Sequence, residues 1–441
     1  MKNTPKRNDA SVNPRKLALS VIMEVLEKEE FSDRYLHAVL AKYGFLSGQE
    51  RAFISRLSLG TIENALLLDG IINQYSKIKV KKMKPVVRNV LRLSVYQIYF
   101  MDSVPESAIV NEGVKLVKQH GLSGLGGFVN GVLRGILRDK KPLSDFGFSL
   151  AIRYSFPEEL VADWQRDYDP KTLEQMLSSF GKQTLTSIRT NLAKITPEEL
   201  KERLEKEGLT VECAKDPDYA FYISGYDHLE ELSSFKEGLF YVQDVSSMLV
   251  AERAGIKGDD FVLDVCAAPG GKSVHIAQKM EVLKGSGRVE SRDVFPHKVK
   301  LIEENIRRFG LSNMSARVWD AKVMDESAVA QADVVIADLP CSGLGVIGKK
   351  PEIKYRVDIR AEEELAALQR EILSVVCRYV RPGGRLVYST CTIDRRENED
   401  NREWFLENHP EFTPVSEEQI LPLDGKRDGF YIAVFTRKPK E

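Results

Sequence analysis

Apolar residues recur at spacings of three and four through PRKLALSVIMEVLEKEEF, ERAFISRLSLGTIENALLLDGIINQYS and PVVRNVLRLSVYQIYFMDSV, so residues 14–140 read as amphipathic helices. Turn signals such as GFLSGQ and SVPES separate them, and Ser47 or Ser107 is placed to open the helix that follows. Ser47 has Glu50 three residues on, the spacing of a capping box. A compact all-α domain of roughly five to seven helices is expected. From about 150 to 235 a helical stretch, PEELKERLEKEG, mixes with short strands, TSIRTNL and AFYIS, which predicts a small α+β module.

From about 240 the pattern becomes strand–helix alternation. FVLDVCA, GRVESRDV, SARVWDA, ADVVIADLP and GGRLVYSTC are apolar, β-branched segments, and KSVHIAQKM, PHKVKLIEENIRRFG and AEEELAALQREILSVVCRYV between them are helical. Such alternation predicts an α/β domain with a parallel sheet covered on both faces by helices. The expected division is residues 1–145, 146–238 and 239–441.

Composition adds bounds. The chain has 441 residues, 29% charged and 43% hydrophobic, with a formal net charge of −1. No global basic field marks a nucleic-acid binder, so any such face must come from local clusters of Lys and Arg. The amino terminus, MKNTPKRNDASVNPRK, has no apolar core, and no apolar run reaches the roughly 18 residues of a membrane helix. Five cysteines, spread from Cys213 to Cys391, do not make a disulfide framework. A reduced cytoplasmic setting, no membrane and no metal are the expectations, and in that setting a thiol can act as a nucleophile.

The chemistry concentrates at strand ends. In VLDVCAAPGGKSVHIAQ a strand closes near Asp264 to Cys266, a Pro-Gly-Gly turn follows, and a helix begins near Lys272. Glycines let backbone approach a ligand, and the helix start offers free N–H groups. The string lacks G-x-G-x-x-G, which favours an adenosine-bearing ligand other than a dinucleotide. Asp293 closes the next strand, where a carboxylate can receive two ribose hydroxyls; taken alone, it reads more readily as a helix N-cap. Asp320 closes the third strand and can face an adenine amino group. The fourth and fifth strands end in ADLPCSG and YSTCT, which bring Asp338, Cys341 and Cys391 toward one crevice. Cys213 and Cys377 read as small, inert hydrophobes.

Together CAAPGGK, Asp293, Asp320, DLPCSG and STCT resemble the RNA cytosine-C5 methyltransferases of the RsmB/NOP family, and the helical region resembles NusB. The resemblance covers nearly the whole chain, with the middle module matching less distinctly through RYSFPEELVADW and SIRTN. It implies a Rossmann-like methyltransferase domain using S-adenosylmethionine and a substrate in 16S ribosomal RNA, within a small-subunit assembly particle or free of it. The family's type position is cytosine 967, and a monomer is expected. It further implies that Cys266, Ala267, Ala268, Pro269, Gly270, Gly271 and Lys272 cradle the methionine end of the cofactor. Asp293 would hold the ribose, Asp320 the adenine side, and Asp338 would stand between cofactor and base. Cys391 would attack C6 of the cytosine, and Cys341 would assist breakdown of the adduct. DNA enzymes instead use the Pro-Cys thiol as nucleophile.

For RNA binding, KIKVKKMKPVVR at 77–88 is the densest basic run, with Arg92, Lys115, Lys118 and Arg134 downstream; GKKPEIKYR at 348–356 is a second candidate nearer the site. Three alternatives remain at this stage: a transfer RNA substrate, a non-catalytic RNA-binding or antitermination factor, and a DNA methyltransferase.

Overall fold

The structure is a computed structural model that describes residues 12–182 and 185–439. The chain forms two compact units. The first runs to Gly181 and includes Lys349–Arg356; the second holds Lys182–Gly348 and Val357–Glu441. These limits differ from the expected 145/146 and 238/239.

In the first unit seven α-helices span Pro14–Lys28, Ser32–Lys42, Gly48–Glu63, Ala65–Tyr75, Pro85–Phe100, Glu106–Gln119 and Gly126–Asp139. Their apolar stripes meet in one core that includes Ile22, Ile54, Leu68, Val90, Leu116 and Leu133, all fully buried. Asn13 accepts the Arg15 N–H at 2.9 Å and Pro14 sits at the first helical position, which opens the first helix. Ser47 and Glu50 form the expected capping box. Ser107 opens nothing: the helix starts at Glu106, with Pro105 as its cap. Close helix packing needs Gly60, where a Cβ would fall 2.0 Å from the Tyr96 hydroxyl.

Helices Leu150–Arg153, Glu158–Asp167 and Pro170–Phe180 complete this unit. Phe156, Trp164 and Phe180 pack together at centroid separations of 5.8–6.3 Å. Of the segment expected as a small α+β module, helices Glu158–Asp167 and Pro170–Phe180 fall in the first unit, and helix Pro197–Lys206 with the strands falls in the second.

In the second unit, β1 (Thr186–Thr190), β2 (Thr210–Cys213), β3 (Ala220–Ser224) and β4 (Phe240–Val242) form an antiparallel sheet in the order β2-β3-β1-β4. Helix Pro197–Lys206 covers it through Leu200 and Leu204, against Ile188, Phe221 and Phe240. The larger sheet contains β5 (Phe261–Asp264), β6 (Arg288–Asp293), β7 (Met314–Val318), β8 (Ala332–Asp338), β9 (Val380–Thr390), β10 (Phe412–Ile420) and β11 (Phe430–Arg437), in the order β10-β11-β9-β8-β5-β6-β7. The strands β5 to β9 pair in parallel. To the parallel sheet expected from the sequence, β10 and β11 add an antiparallel hairpin at one edge.

Alternate residues of the central strands feed two separate cores. Val262, Val334, Ile336 and Val387 enter one, and Leu263, Val335, Ala337 and Leu386 the other. Both faces are thus covered, the condition under which parallel strands are stable. Strand order reverses between β5 and β8, and ligands of open α/β sheets bind at the carboxyl ends beside such a reversal.

Candidate active site

At the carboxyl end of β5 the chain turns through Cys266–Gly270. Gly270 has φ of +104°, a conformation that side chains resist, and it caps helix Gly271–Val282. The free N–H groups of that helix start face the turn. Asp264 is completely buried and accepts the Ser273 hydroxyl at 2.6 Å. Burial pushes its carboxyl up to about 7. The same burial, with Asp264, Asp293 and Asp338 nearby, pushes the Cys266 thiol well up, so Cys266 keeps its proton.

Strand register builds the next element. Asp338 ends β8 directly opposite Ser389 of β9. The Ser389 hydroxyl donates to Asp338 Oδ1 at 2.8 Å, and Lys272 Nζ meets Asp338 Oδ2 at 2.6 Å. Lys272 is held protonated by Asp338 against the desolvation of its buried site, and its ammonium lies 5.2 Å from the Phe430 ring.

Cys391 follows β9 immediately, and Cys341 follows β8 by three residues. Their sulfurs are 3.4 Å apart. The two loops are tied together: Ser342 Oγ and Thr392 Oγ1 are hydrogen-bonded at 2.8 Å, the Ser342 N–H donates to Glu397 at 3.0 Å, and the Gly345 N–H donates to the Cys391 carbonyl at 3.0 Å. The hydrogen bond to Cys391, reinforced by burial, drives the Cys341 thiol well above its ordinary range. Cys341 therefore holds its proton tightly, and the two sulfurs share a hydrogen bond.

A cavity of about 290 Å³ joins these groups. Asp264, the turn Cys266–Pro269, Gly271, Lys272, Asp338 and Cys391 line it, with Gln243, Asp244, Asp428 and Phe430. Gly270 stands behind the turn. Asp293 ends β6 as expected and accepts the Phe295 N–H at 3.0 Å; Asp320 lies two residues past β7, not at its end, and accepts the Lys322 N–H at 3.0 Å. Neither lines the cavity. Among the other cysteines, Cys377 is buried as expected, whereas Cys213 is exposed on β2.

The sequence reading did not single out Asp264, Ser273, Ser389, Asp244, Asp428 or Phe430. Asp244 had a signal, an Asp ahead of an apolar helix, and it does accept the Ser246 N–H at 2.9 Å. In GKKPEIKYR, expected to grip a substrate, several basic side chains are committed within the first unit. Lys354 is buried in the first unit and donates to the Glu63 carbonyl at 2.8 Å, Arg356 donates to the Glu30 carbonyl at 2.6 Å, and Lys350 pairs with Asp33 at 3.2 Å. Arg92 is likewise committed, to Asp69 at 2.6 Å.

The strand order, the glycine turn and the cavity at the sheet reversal are those of an S-adenosylmethionine-dependent methyltransferase. Residues 255–436 match the family model "16S rRNA methyltransferase RsmB/F", residues 12–138 match "NusB family", and residues 156–226 match the RsmF/B-like ferredoxin-like domain. The probable ribosomal RNA small subunit methyltransferase B of Bacillus subtilis (strain 168) is 36% identical over 96% of this chain and 98% of its own. This chain belongs to the RsmB/F family of 16S rRNA methyltransferases. The crystal structure of PH0851 is similar over 96% of this chain and 99% of that one, with a TM-score of 0.80 and 25% identity. NSun6 from Pyrococcus horikoshii, solved with SFG, shares the fold over 65% of this chain and all of its own, with a TM-score of 0.58 and 23% identity.

Proposed function

We propose that the protein methylates C5 of a cytosine in 16S ribosomal RNA through a covalent bond between Cys391 and C6 of the base, with cytosine 967 of the family's type the first position to examine. The observation that carries this reading is the pair of sulfurs 3.4 Å apart, with Cys391 at the wall of the cavity. Cytosine C5 is a poor nucleophile, and thiolate addition at C6 makes it enamine-like, which splits one hard step into two easier ones.

The residues fit the cofactor. The cavity offers a glycine turn, a helix start and a buried carboxyl at Asp264, groups suited to the amino acid end of an adenosyl sulfonium. Cys266, Ala267, Ala268, Pro269, Gly270, Gly271 and Lys272 would hold that end, and Asp293 and Asp320, outside the cavity, would take the ribose and the adenine where these extend beyond it. S-adenosylmethionine supplies the methyl group as an electrophile.

Cys391 Sγ adds to C6. Asp338, paired with Lys272 and oriented by Ser389, accepts from the exocyclic amine and holds the base while charge shifts into the ring. After C5 is methylated, a base must take its proton, so that the C–H electron pair re-forms the C5–C6 double bond while the Sγ–C6 pair leaves with the Cys391 thiolate. Cys341 assists that elimination. The target nucleotide must be unstacked to reach the cavity. The chain acts as a monomer in the cytoplasm, on RNA alone or on an assembly particle.

The test uses RNA containing the target. Cys391→Ala should abolish methyl transfer. Cys341→Ala should accumulate a protein–RNA adduct that survives denaturing electrophoresis and disappears in the double variant. Trapping by Cys391→Ala instead would assign attack to Cys341 and sink this reading.

A further inference from the structure

At the opposite end of β9 from Cys391, three side chains of different chemistry converge. Cys377 closes helix Ile359–Val376, His409 caps helix Glu399–Asn408, and Glu411 immediately precedes β10. Cys377 Sγ lies 3.7 Å from His409 Nδ1, and the same nitrogen lies 3.5 Å from Glu411 Oε1. All three donor atoms fall within 4.8 Å of one another.

The Cys377 thiol reaches the Ser374 carbonyl at 3.5 Å, and His409 Nδ1 has one proton to share between that sulfur and the Glu411 carboxylate. A cation satisfies all three. Zinc takes Cys, His and carboxylate ligands at about 2.3, 2.0 and 2.1 Å, and tetrahedral angles then set the donors about 3.3–3.6 Å apart. Both separations given above are within about 0.2 Å of those edges, inside the tolerance for a metal site. The ring is also fixed in place, stacked on Phe405 at a centroid separation of 4.8 Å. Cys377 is buried and Glu411 is partly exposed, which leaves an approach for the ion and a fourth position for water.

We infer that Cys377, His409 and Glu411 form a structural site for a borderline-soft divalent metal, zinc foremost, that clips two helix ends to the start of the edge hairpin. The sequence reading expected no metal. The thiol of Cys377 gives its proton to solvent on binding, and the thiolate and carboxylate together neutralise the ion. Burial and Glu411 push that thiol up to about 12 in the metal-free protein, so the ion must displace a tightly held proton. Thiolate and imidazole ligands select zinc over magnesium or calcium. β9 separates the site from Cys391 by its whole length, so the clip serves stability and takes no part in methyl transfer.

Cobalt(II) titration of the full chain tests this directly, because a cobalt–thiolate bond gives a near-ultraviolet charge-transfer band. One equivalent of cobalt should raise the band, one equivalent of zinc should bleach it, and Cys377→Ser should remove it. Glu411→Ala, at a partly exposed position that leaves folding intact, should weaken cobalt at least tenfold. Cys341→Ser and Cys391→Ser should leave the band in place. No band in the folded wild-type chain, or a band that survives Cys377→Ser, overturns the inference.

Discussion

Lys272 Nζ lies 2.6 Å from Asp338 Oδ2, and this ion pair joins the first turn of the helix after β5 to the end of β8 across the point where strand order reverses. Lys272→Met should therefore do two things at once. It leaves the mostly buried Asp338 carboxylate without its cation, which should cost about 2 kcal/mol of stability, less than a fully buried pair because Asp338 is a quarter exposed. It also frees the carboxylate to rotate away from the base, so methyl transfer should fall at least a hundredfold. Urea denaturation and single-turnover methylation measure the two; full activity in Lys272→Met would remove Asp338 orientation from the mechanism.

Asp264 gives the fold a pH dependence opposite to that of a salt-bridged carboxylate. Its folded value is raised to about 7 by burial, whereas an unfolded Asp titrates near 3.9. Between those values the folded chain binds more protons than the unfolded chain, so this group makes stability fall as pH rises from about 4 to 7. The full penalty, on the order of 2–4 kcal/mol, is present above pH 7 and absent below pH 4. Asp264→Asn should flatten that stretch of the stability profile. Equal urea midpoint changes between pH 4.5 and 7.5 in variant and wild type would place the raised titration elsewhere.

Much of this site was legible in the sequence because chemistry in an open α/β sheet sits at strand ends, and strand ends can be read. CAAPGGK, ADLPCSG and YSTCT fell where the motifs put them. The partners that orient these residues were not legible. Ser389 supports Asp338 only because β8 and β9 run in a register that pairs them, and Ser273 reaches Asp264 only through the helix turn. The edge hairpin escaped notice for a different reason: β10 has a solvated, polar face in FTPVSEEQI, and no helix separates it from β11. GKKPEIKYR misled because charge in sequence does not reveal burial; Lys354 spends its charge on a helix carbonyl.

That segment carries its own prediction. The Tyr355 hydroxyl accepts the Ala65 N–H at 3.2 Å and lies 2.7 Å from the Ile62 carbonyl, bridging the junction of two helices of the first unit. Tyr355→Phe keeps the ring and strands these buried backbone groups, at a cost of about 1–3 kcal/mol. S-adenosylmethionine affinity should not change, because the cofactor cavity belongs to the second unit. Calorimetric unfolding and cofactor titration on the same sample check both halves.

The basic run over 77–84 offers the sharpest separation of RNA contact from structural charge. Lys79, Lys81, Lys82 and Lys84 are exposed, while Val80 and Met83 between them are buried and pin the turn in place. The Val80 N–H donates to Asn73 Oδ1 at 2.9 Å, so the turn does not depend on the lysines. Replacing all four with Ala should leave the melting temperature unchanged. If each contacts a phosphate, the slope of log binding constant against log salt should become shallower by about three units, at 0.7–0.9 per contact. Arg92→Ala should behave in the opposite way. Arg92 and Asp69 are both largely buried, and removing the guanidinium leaves an unpaired carboxylate, so stability should fall by about 3 kcal/mol with the salt slope unchanged. An unchanged salt slope in the four-lysine variant would move the RNA contact to another face.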